Sequence, residues 1–351
     1  MRKLHLQTYS IILISCFMFI LYNGLPVYGQ SPASAYKVVA KIAIGGEGGW
    51  DYLAVDPAAR RLYVSHATRV NVVDIEKNTV IGEIPNTNGV HGIAIAVDLG
   101  YGFTSNGRDS TVTVFDLKKL ETITTVKVTG ENPDAILYEP VTHRVFTFNG
   151  RTSNATAIDA KTNKVIDTVS LGGRPEFAVA DNKGKVFVNL EDKSAIVTFD
   201  AQTLKVEGTW PLAPCEEPSG LAIDREHRRL FSGCRNKMMA VVNADTGKVI
   251  ATPPIGSGVD ACAYDPATGL AFSSNGEGTL TVIHEDTPYK FSVVENAATQ
   301  PRARTMALDE KTHRVFLSTA EFGPAPAPTP EQPRPRPTIV PNTFAVLVLA
   351  R

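Results

Sequence analysis

The stretch RLYVSHATRVNVVDIEKNTVIGEI, residues 61–84, decides the fold class of this protein. It consists of three short runs in which apolar and polar side chains alternate, with turn-forming residues between them. Alternation with a period of two is typical of β-strands that bury one face. No stretch of a dozen residues in the surrounding repeats shows the apolar stripe of an amphipathic helix. The pattern therefore predicts an all-β fold.

Near-copies of this pattern recur seven times along the chain at intervals of 40 to 44 residues. The residues at which the copies align are Asp56, Ala96, Glu139, Asp181, Asp224, Asp265 and Asp309, which we call the anchors. Each repeat has room for four short strands, and four-stranded repeats of about forty residues are typical of β-propeller blades. The sequence therefore predicts a seven-bladed β-propeller with four-stranded antiparallel blades.

The two ends of the chain are predicted to complete one blade together. The seventh repeat supplies only three strands, the last of them in TFAVLVLAR at the C-terminus. The segment YKVVAKIAI, residues 36–44, precedes the first full repeat and resembles the fourth strands of other repeats. Pairing it with the C-terminal strand would remove the last open sheet edge, so we expect the ring to close in this way.

The repeats LYVSH followed by VNVVDIEKNTVIGEI, and AIDAKTNKVIDTVSLGGRPEFAVAD, resemble the YVTN-repeat β-propeller family of exported bacterial proteins. The resemblance covers nearly all of the chain after residue 29, although the tetrad itself reads YVSH, FTSN, FTFN and FVNL here. It implies a seven-bladed propeller outside the cytoplasm. Members of the family share no single activity, so the resemblance names no reaction.

Residues 1–29 have the features of a cleavable signal peptide. A basic start, MRK, is followed by the apolar run IILISCFMFILY and by Val27 and Gly29 at the positions that signal peptidase favours. The alternative is a lipoprotein modified at Cys16, but the apolar run continues after that residue. We therefore expect a periplasmic or secreted protein whose residues 30–351 form one propeller domain without a transmembrane segment.

Composition restricts the partners and the cysteine chemistry. Removal of residues 1–29 leaves 33 of the 35 basic side chains against all 36 acidic ones, which argues against nucleic acid as a partner. Three cysteines then remain without a CxxC motif, so zinc-ribbon and thioredoxin-like sites are excluded. We predict a disulfide between Cys215 and Cys234 and a buried thiol at Cys262. The alternative is that all three are small buried apolar residues.

A proline-rich segment, GPAPAPTPEQPRPRPTIVP at residues 323–341, interrupts the last repeat between its second and third strands. Prolines cannot donate ladder hydrogen bonds and favour an extended polyproline II chain, so the segment is predicted to project as a loop. It is either a tolerated insertion or an arm that docks on an envelope protein.

The residues that begin the first strand of each blade are predicted to meet at one mouth of the central channel. Five positions before each anchor stand Asp51, His91, Asp134, Glu176, Ser219, Asp260 and Arg304. Four of these are carboxylates, which attract cations where a cleft focuses the field. We expect Asp51, Asp134, Glu176 and Asp260 to hold an amine or a divalent metal ion, with His91 as a switchable ligand or catalytic base and Arg304 as an anion anchor. The alternative is that Asp is simply a good turn residue.

A looser outer shell is predicted around this mouth. It comprises the residues that follow each second strand, namely His66, Asn106, Asn149, Glu191, Arg235 and Asn275. Trp50, beside Asp51, is either an aromatic wall of the mouth or core packing.

Three functions are consistent with these residues. The first is a monomeric exported protein that binds a small cation, a metal ion or an envelope protein at the mouth. The second is a metal-dependent hydrolase or lyase, of the lactonase kind, that uses the same mouth and His91 as base. The third is a structural platform that acts through its loops. Metal content discriminates the second from the others, since only an enzyme of that kind requires a bound ion.

Overall fold

The computed structural model describes residues 35–329, 335 and 337–351 of the chain. The predicted signal peptide and Cys16 lie outside these residues. The described residues form seven four-stranded antiparallel sheets arranged as the blades of a β-propeller, as the repeat pattern predicted. In the part of the chain described, the only helical segment is one 3₁₀ turn, Glu191–Lys193, and no helix is long and apolar enough to cross a membrane.

The strands follow one another in chain order through the blades. After β1 (Lys37–Ala43), blade 1 contains β2 (Leu53–Asp56), β3 (Arg61–His66), β4 (Arg69–Asp74) and β5 (Thr79–Pro85). Blade 2 contains β6 (Val90–Ala96), β7 (Tyr101–Asn106), β8 (Thr111–Asp116) and β9 (Thr122–Lys127). Blade 3 contains β10 (Pro133–Glu139), β11 (Arg144–Asn149), β12 (Asn154–Asp159) and β13 (Lys164–Ser170).

The remaining blades repeat the same plan. Blade 4 contains β14 (Pro175–Ala180), β15 (Lys185–Leu190), β16 (Ala195–Asp200) and β17 (Val206–Pro211). Blade 5 contains β18 (Pro218–Asp224), β19 (Arg229–Cys234), β20 (Met238–Asn243) and β21 (Val249–Ala251). Blade 6 contains β22 (Val259–Asp265), β23 (Leu270–Asn275), β24 (Thr279–Thr287) and β25 (Lys290–Ala298). Blade 7 contains β26 (Met306–Asp309), β27 (Arg314–Thr319) and β28 (Ala345–Ala350).

The first strand of every blade lies innermost. Contacts run from β2 to β6, β10, β14, β18, β22 and β26 in turn, and β26 contacts β2 again. The ring is therefore closed. Because all seven first strands run in the same direction along the axis, their first residues meet at one end of the channel and the anchors at the other.

The closing blade is completed by the N-terminal strand. β1 pairs antiparallel with β28 from Lys37↔Ala350 to Ala43↔Ala345, with a bulge between Val38 and Ala40. The sheet order β1-β28-β27-β26 confirms the predicted closure. The chain ends thus protect each other's hydrogen-bonding edge.

The core consists of apolar clusters between adjacent blades. Strands β3, β7 and β11 are buried along almost their whole length, whereas the outer strands β5, β9 and β13 are mostly exposed, with one buried residue each. Phe146 of blade 3 meets Phe199 of blade 4 edge to face at a centroid distance of 5.2 Å. Aromatic pairs of this geometry add about 1 kcal/mol to the burial of their surface.

The anchors fasten the blades at the end opposite the mouth. Each anchor carboxylate accepts backbone N–H groups of its own turn, as Asp56 does from Ala58 and Ala59 at 3.0 and 2.9 Å. At three junctions the residue four positions after the next anchor reaches back to the carboxylate of the preceding blade. These pairs, which we call clasps, are Arg60 with Asp309, Arg228 with Asp181, and His313 with Asp265.

The proline-rich insertion lies between β27 and β28. Within its described residues, a single bridge joins Phe322 to Ile339 at its base. Residues 330–334 and 336 of this segment lie outside the described residues.

Candidate functional site

The seven residues predicted at the mouth stand at equivalent positions of the propeller. His91, Asp134, Glu176, Ser219 and Asp260 are the second residues of their first strands. Asp51 and Arg304 stand just before β2 and β26. All of them except His91 line one cavity of about 440 Å³, and His91 lies against two of its carboxylates.

Buried polar side chains of the second strands hold the backbone of the mouth. The Ser65 hydroxyl accepts the N–H of Asp51 at 2.8 Å, and the Ser105 hydroxyl donates to the carbonyl of Asp134 in the next blade. In blade 4 the Asn189 amide donates to the carbonyls of Ser219 and Gly220 at 2.9 and 3.1 Å. These contacts fix the positions of the mouth residues, because each joins a strand inside one blade to the first strand of its own or the next blade.

His91 lies between two carboxylates. Its Nδ1 is 2.6 Å from Asp51 Oδ2 and 3.7 Å from Asp134 Oδ1. Burial lowers the pKa of His91, but the hydrogen bond to Asp51 and the charges of both carboxylates outweigh it, so the net shift of the pKa is upward. Burial and the Asp51 charge raise the pKa of Asp134 to about 6. The imidazolium form of His91 therefore serves as the counter-ion of this group.

Asp260 has its own counter-ion. Its Oδ1 is 3.2 Å from the Arg304 guanidinium, and its backbone carbonyl accepts the Ser219 hydroxyl at 3.0 Å. Burial raises the pKa of Asp260 to about 7, against the lowering effect of Arg304 and with the help of the Asp51 and Asp134 charges. The positive charge of Arg304 therefore does not neutralise the combined negative charge of the mouth carboxylates.

Glu176 is the most strongly perturbed carboxyl group of the mouth. Burial, the Asp134 charge and a hydrogen bond with Glu191 raise its pKa to about 9. No ion pair joins Glu176 to a basic side chain among residues 35–329, 335 and 337–351. At neutral pH this group therefore keeps a proton that a bound cation would displace.

Two aromatic residues of the mouth were not identified from the sequence. Tyr52 and Phe177 line the cavity next to Asp51 and Glu176, and their ring centroids are 4.4 Å apart. Burial, followed by the charges of Asp134 and Asp51, raises the pKa of Tyr52 well above its ordinary value. The sequence feature that could have identified them is their position directly after two mouth carboxylates, Asp51 and Glu176.

The predicted outer shell is wrong for four of its six residues. His66, Asn106, Asn149 and Asn275 are the last residues of their second strands and are fully buried inside their blades. The Asn149 amide, for example, donates to Asn154 and Thr156 at 2.8 and 3.0 Å. The three asparagines donate hydrogen bonds to third-strand residues of their own blades, so their side chains point into the blade and not towards the channel. Glu191 and Arg235 do line the cavity, since they stand one residue after their second strands.

His66 follows the same pattern as the buried asparagines. Its Nδ1 is 3.0 Å from Asn71 Oδ1, and its ring packs on Phe344 at a centroid distance of 4.6 Å. Burial lowers the pKa of His66, so its imidazole is held neutral inside blade 1. The structure places His66 inside blade 1 and not in the lining of the mouth cavity.

Trp50 belongs to a neighbouring cavity rather than to the channel. Its ring stacks on Phe344 at 4.8 Å and, together with Phe322 and Arg302, lines a second cavity of about 540 Å³ at the base of the proline-rich segment. Arg304 and Gly258 border both cavities. Trp50 therefore packs in the core and lines the second cavity, not the cavity of the mouth.

The donor atoms suited to a metal ion differ from the predicted set. Asp51, His91 and Asp134 each offer one ligand atom, and these atoms lie within 4.8 Å of one another. Glu176 and Asp260 do not belong to this triad. Two carboxylates with one imidazole suit zinc, iron or manganese better than calcium.

Cys215 and Cys234, which are separated by 19 positions in the sequence, form a disulfide with their Cα atoms 5.8 Å apart. Cys262 is a free, buried thiol. The bridge ties the loop before β18 to the end of β19, next to Glu217 and Arg235 of the mouth.

Comparison with known proteins supports the fold alone. No family model matches the chain, and no curated protein matches its sequence. The structure is similar to the crystal structure of the RRP9 WD40 repeats, with a TM-score of 0.75, 11% identity, and coverage of 92% of this chain and 99% of that one. It is also similar to the structure of U3-55K, with a TM-score of 0.72, 10% identity, and coverage of 90% and 98%.

Proposed function

We propose that this protein is an exported propeller that binds a positively charged ligand, an amine or a basic side chain of a protein partner, in the mouth of its channel. The observation that carries the proposal is the convergence of Asp51, Asp134, Glu176 and Asp260 from four blades on one cavity. Glu191 and Glu217 add carboxylates at the rim, where Arg174 and Arg235 pair with them. A cation entering this space would find acceptors already desolvated and fixed in place.

The export part of the proposal rests on the sequence. Residues 1–29 have the pattern of a signal peptide, and the repeats resemble the exported YVTN-repeat family. A disulfide between Cys215 and Cys234 is consistent with an oxidising compartment such as the periplasm.

Binding of a cation is expected to release protons. The raised pKa values of Asp134, Glu176 and Asp260, about 6, 9 and 7, mean that the free mouth is partly protonated at pH 7. A bound cation favours the ionised carboxylates and lowers these pKa values, so protons leave as the ligand enters. An anionic or neutral ligand would have no such effect.

Isothermal titration calorimetry in buffers of different ionisation enthalpy tests this proposal. The probes are spermidine, a lysine-rich peptide and, as a matched control, a glutamate-rich peptide. We expect the cationic probes to bind with proton release at pH 7, and the combined variant Asp134→Asn, Glu176→Gln to lose the proton release and at least tenfold in affinity. The combined variant Asp109→Asn, Glu131→Gln, which neutralises exposed acids at the same end, should bind like the parent.

The proposal fails if neither cationic probe binds, or if both double variants bind equally well. Retained affinity without proton release in the parent would show that the ligand sits at the rim with Glu191 and Glu217, outside the carboxylate ring.

A metal-dependent hydrolase or lyase is the second candidate, and the Asp51–His91–Asp134 triad is the observation that favours it. Three protein ligands would leave positions open for water and substrate. Metal analysis of the purified protein, followed by assays of zinc- and manganese-loaded protein against lactones and esters, tests it. Turnover that is abolished by His91→Ala supports the hydrolase or lyase candidate. Protein that is purified without metal and shows no turnover after loading with zinc or manganese rejects it.

A further inference from the structure

The end of β18 and the turn that follows it in blade 5 contribute two of the three residues of a second histidine–carboxylate group, at the end of the propeller opposite the mouth. His227 Nδ1 is 2.7 Å from Asp224 Oδ2 and 3.5 Å from Glu285 Oε1, and the three donor atoms lie within 4.8 Å of one another. Asp224 is the anchor of blade 5, and Glu285 comes from β24 of blade 6. The group therefore bridges two blades.

This junction departs from the pattern of the clasps. At the three clasped junctions an anchor carboxylate receives a basic side chain from the next blade, as Asp181 receives Arg228 and Asp265 receives His313. Four positions after the anchor of blade 6 stands Gly269, which has no side chain to offer. In its place the next blade presents a second carboxylate, Glu285, to the anchor.

The second carboxylate is buried and incompletely bonded. The side chains of Asp224 and Glu285 are each 2% exposed. Glu285 Oε2 accepts the Tyr264 hydroxyl at 3.0 Å, whereas Oε1 has no hydrogen-bond partner in the described structure and faces His227. An ionised oxygen buried without a donor costs several kcal/mol unless a cation neutralises it.

The arginines of the same turn do not supply that cation. Arg228 pairs with Asp181 and Asp245, and Arg225 and Arg229 donate to the backbone carbonyls of Ala180 and Pro288 at 3.1 and 2.7 Å. The imidazole of His227 is the only basic side chain in contact with both carboxylates within the described residues, and 42% of it is exposed. Solvent therefore has access to the ligand atoms from the side of His227.

We propose that Asp224, His227 and Glu285 bind a divalent transition-metal ion, with zinc or manganese as the class, between blades 5 and 6. Two carboxylate oxygens and one imidazole nitrogen are three ligands of the kinds that these ions take, and water would complete the coordination. Zinc–ligand distances of about 2.0–2.2 Å require the present donor atoms to move by no more than about 1 Å. The ion would serve as the missing clasp of this junction.

The site is tested in a His91→Ala background, which removes the mouth triad as a competing metal site. After treatment with a chelator, zinc and manganese are titrated by calorimetry and the melting temperature is measured with and without each ion. We expect one equivalent of metal to bind per chain and to raise the melting temperature. Glu285→Gln and His227→Gln should each weaken binding at least tenfold, while His313→Ala, which removes a clasp without a second carboxylate, should not.

The melting temperature without metal adds an independent measurement. Glu285→Gln removes one of two facing carboxylates, so the metal-free variant should melt higher than the metal-free parent, whereas with metal the order should reverse. The proposal is overturned if the His91→Ala protein binds no metal, or if Glu285→Gln binds as tightly as its parent. Because Glu285→Gln is expected to be stable, loss of its metal binding cannot be ascribed to unfolding. Failure of this site leaves the cation-binding mouth untouched, since the two lie at opposite ends of the channel.

Discussion

Arg60 and Asp309 join the first and last blades of the propeller across 249 positions of the chain. The Arg60 guanidinium donates two hydrogen bonds to the two carboxylate oxygens of Asp309 at 2.9 and 2.8 Å. The Asp309 side chain is fully buried, and that of Arg60 is 13% exposed. This pair joins blade 7 to blade 1 through side chains, whereas the pairing of β1 with β28 completes blade 7 through backbone hydrogen bonds.

Removal of Arg60 should therefore destabilise the whole ring. Arg60→Ala leaves a buried carboxylate without its counter-ion, and we expect the free energy of unfolding to fall by about 3 kcal/mol in urea denaturation. Arg228→Ala, which breaks the similar clasp between blades 4 and 5, is the matched comparison. A loss below about 1 kcal/mol in both variants would show that the clasps contribute no more than exposed ion pairs.

The same pair has a defined pH dependence. Burial alone would raise the pKa of Asp309, but the hydrogen bonds from Arg60 and Thr312 hold it below its ordinary value. The stabilisation is then present above the unfolded pKa of about 4 and is lost as the pH falls through the lower folded pKa. The difference in unfolding free energy between parent and Arg60→Ala should accordingly shrink below pH 4.

The mouth should have the opposite pH dependence. The folded pKa values of Asp134, Glu176 and Asp260, about 6, 9 and 7, exceed those of the unfolded chain, so the folded state binds more protons. Stability contributed by these groups declines as the pH rises from about 4 to about 9. The combined variant Asp134→Asn, Glu176→Gln should show a smaller decline of stability with pH than the parent. At pH 8 its free energy of unfolding, measured in urea, should exceed that of the parent by an amount on the order of a few kcal/mol.

The exposed pair Asp109→Asn, Glu131→Gln is the control for this measurement and should leave the pH profile unchanged. If the parent is equally stable at pH 5 and pH 8 in the absence of any cation, the carboxylates of the mouth do not repel one another and the basis of the proposed function is removed.

The buried asparagines should matter for stability and not for ligand binding. Asn149→Ala removes the bonds to Asn154 and Thr156 inside blade 3 and should lower the free energy of unfolding by about 2 kcal/mol. Titration with spermidine under native conditions should give the parent affinity. The reverse result, unchanged stability with weaker binding, would show that Asn149 contributes to ligand binding at the mouth.

The disulfide should contribute through the loop that it closes. The double variant Cys215→Ser, Cys234→Ser frees a loop with a sequence separation of 19 residues, for which the loop-entropy model gives a loss of about 3 kcal/mol. Counting thiols in denatured, unreduced protein that lacks residues 1–29 should give one, from Cys262. A count of three would show that the protein carries no disulfide.

Sequence alone determined the fold and the membership of the mouth ring. The period of about forty residues, the two-residue alternation within each repeat and the three-strand count of the last repeat are local or additive features, so they specify seven blades and the β1–β28 closure. Because the blades are equivalent by position, counting five residues back from each anchor was enough to place Asp51, Asp134, Glu176 and Asp260 around one cavity.

Tertiary structure decided which way each side chain points and what lies across each blade junction. A shift of one position at the end of a second strand separates the buried Asn149 from the half-buried Glu191 of the cavity wall, and sequence counting treated the two alike because it cannot assign the last residue of a strand. The Asp224–His227–Glu285 group was equally hidden, since its members come from different blades and nothing local links Glu285 to Asp224. Contacts between residues distant in the chain depend on how neighbouring blades pack, and that packing is fixed only when the ring is closed.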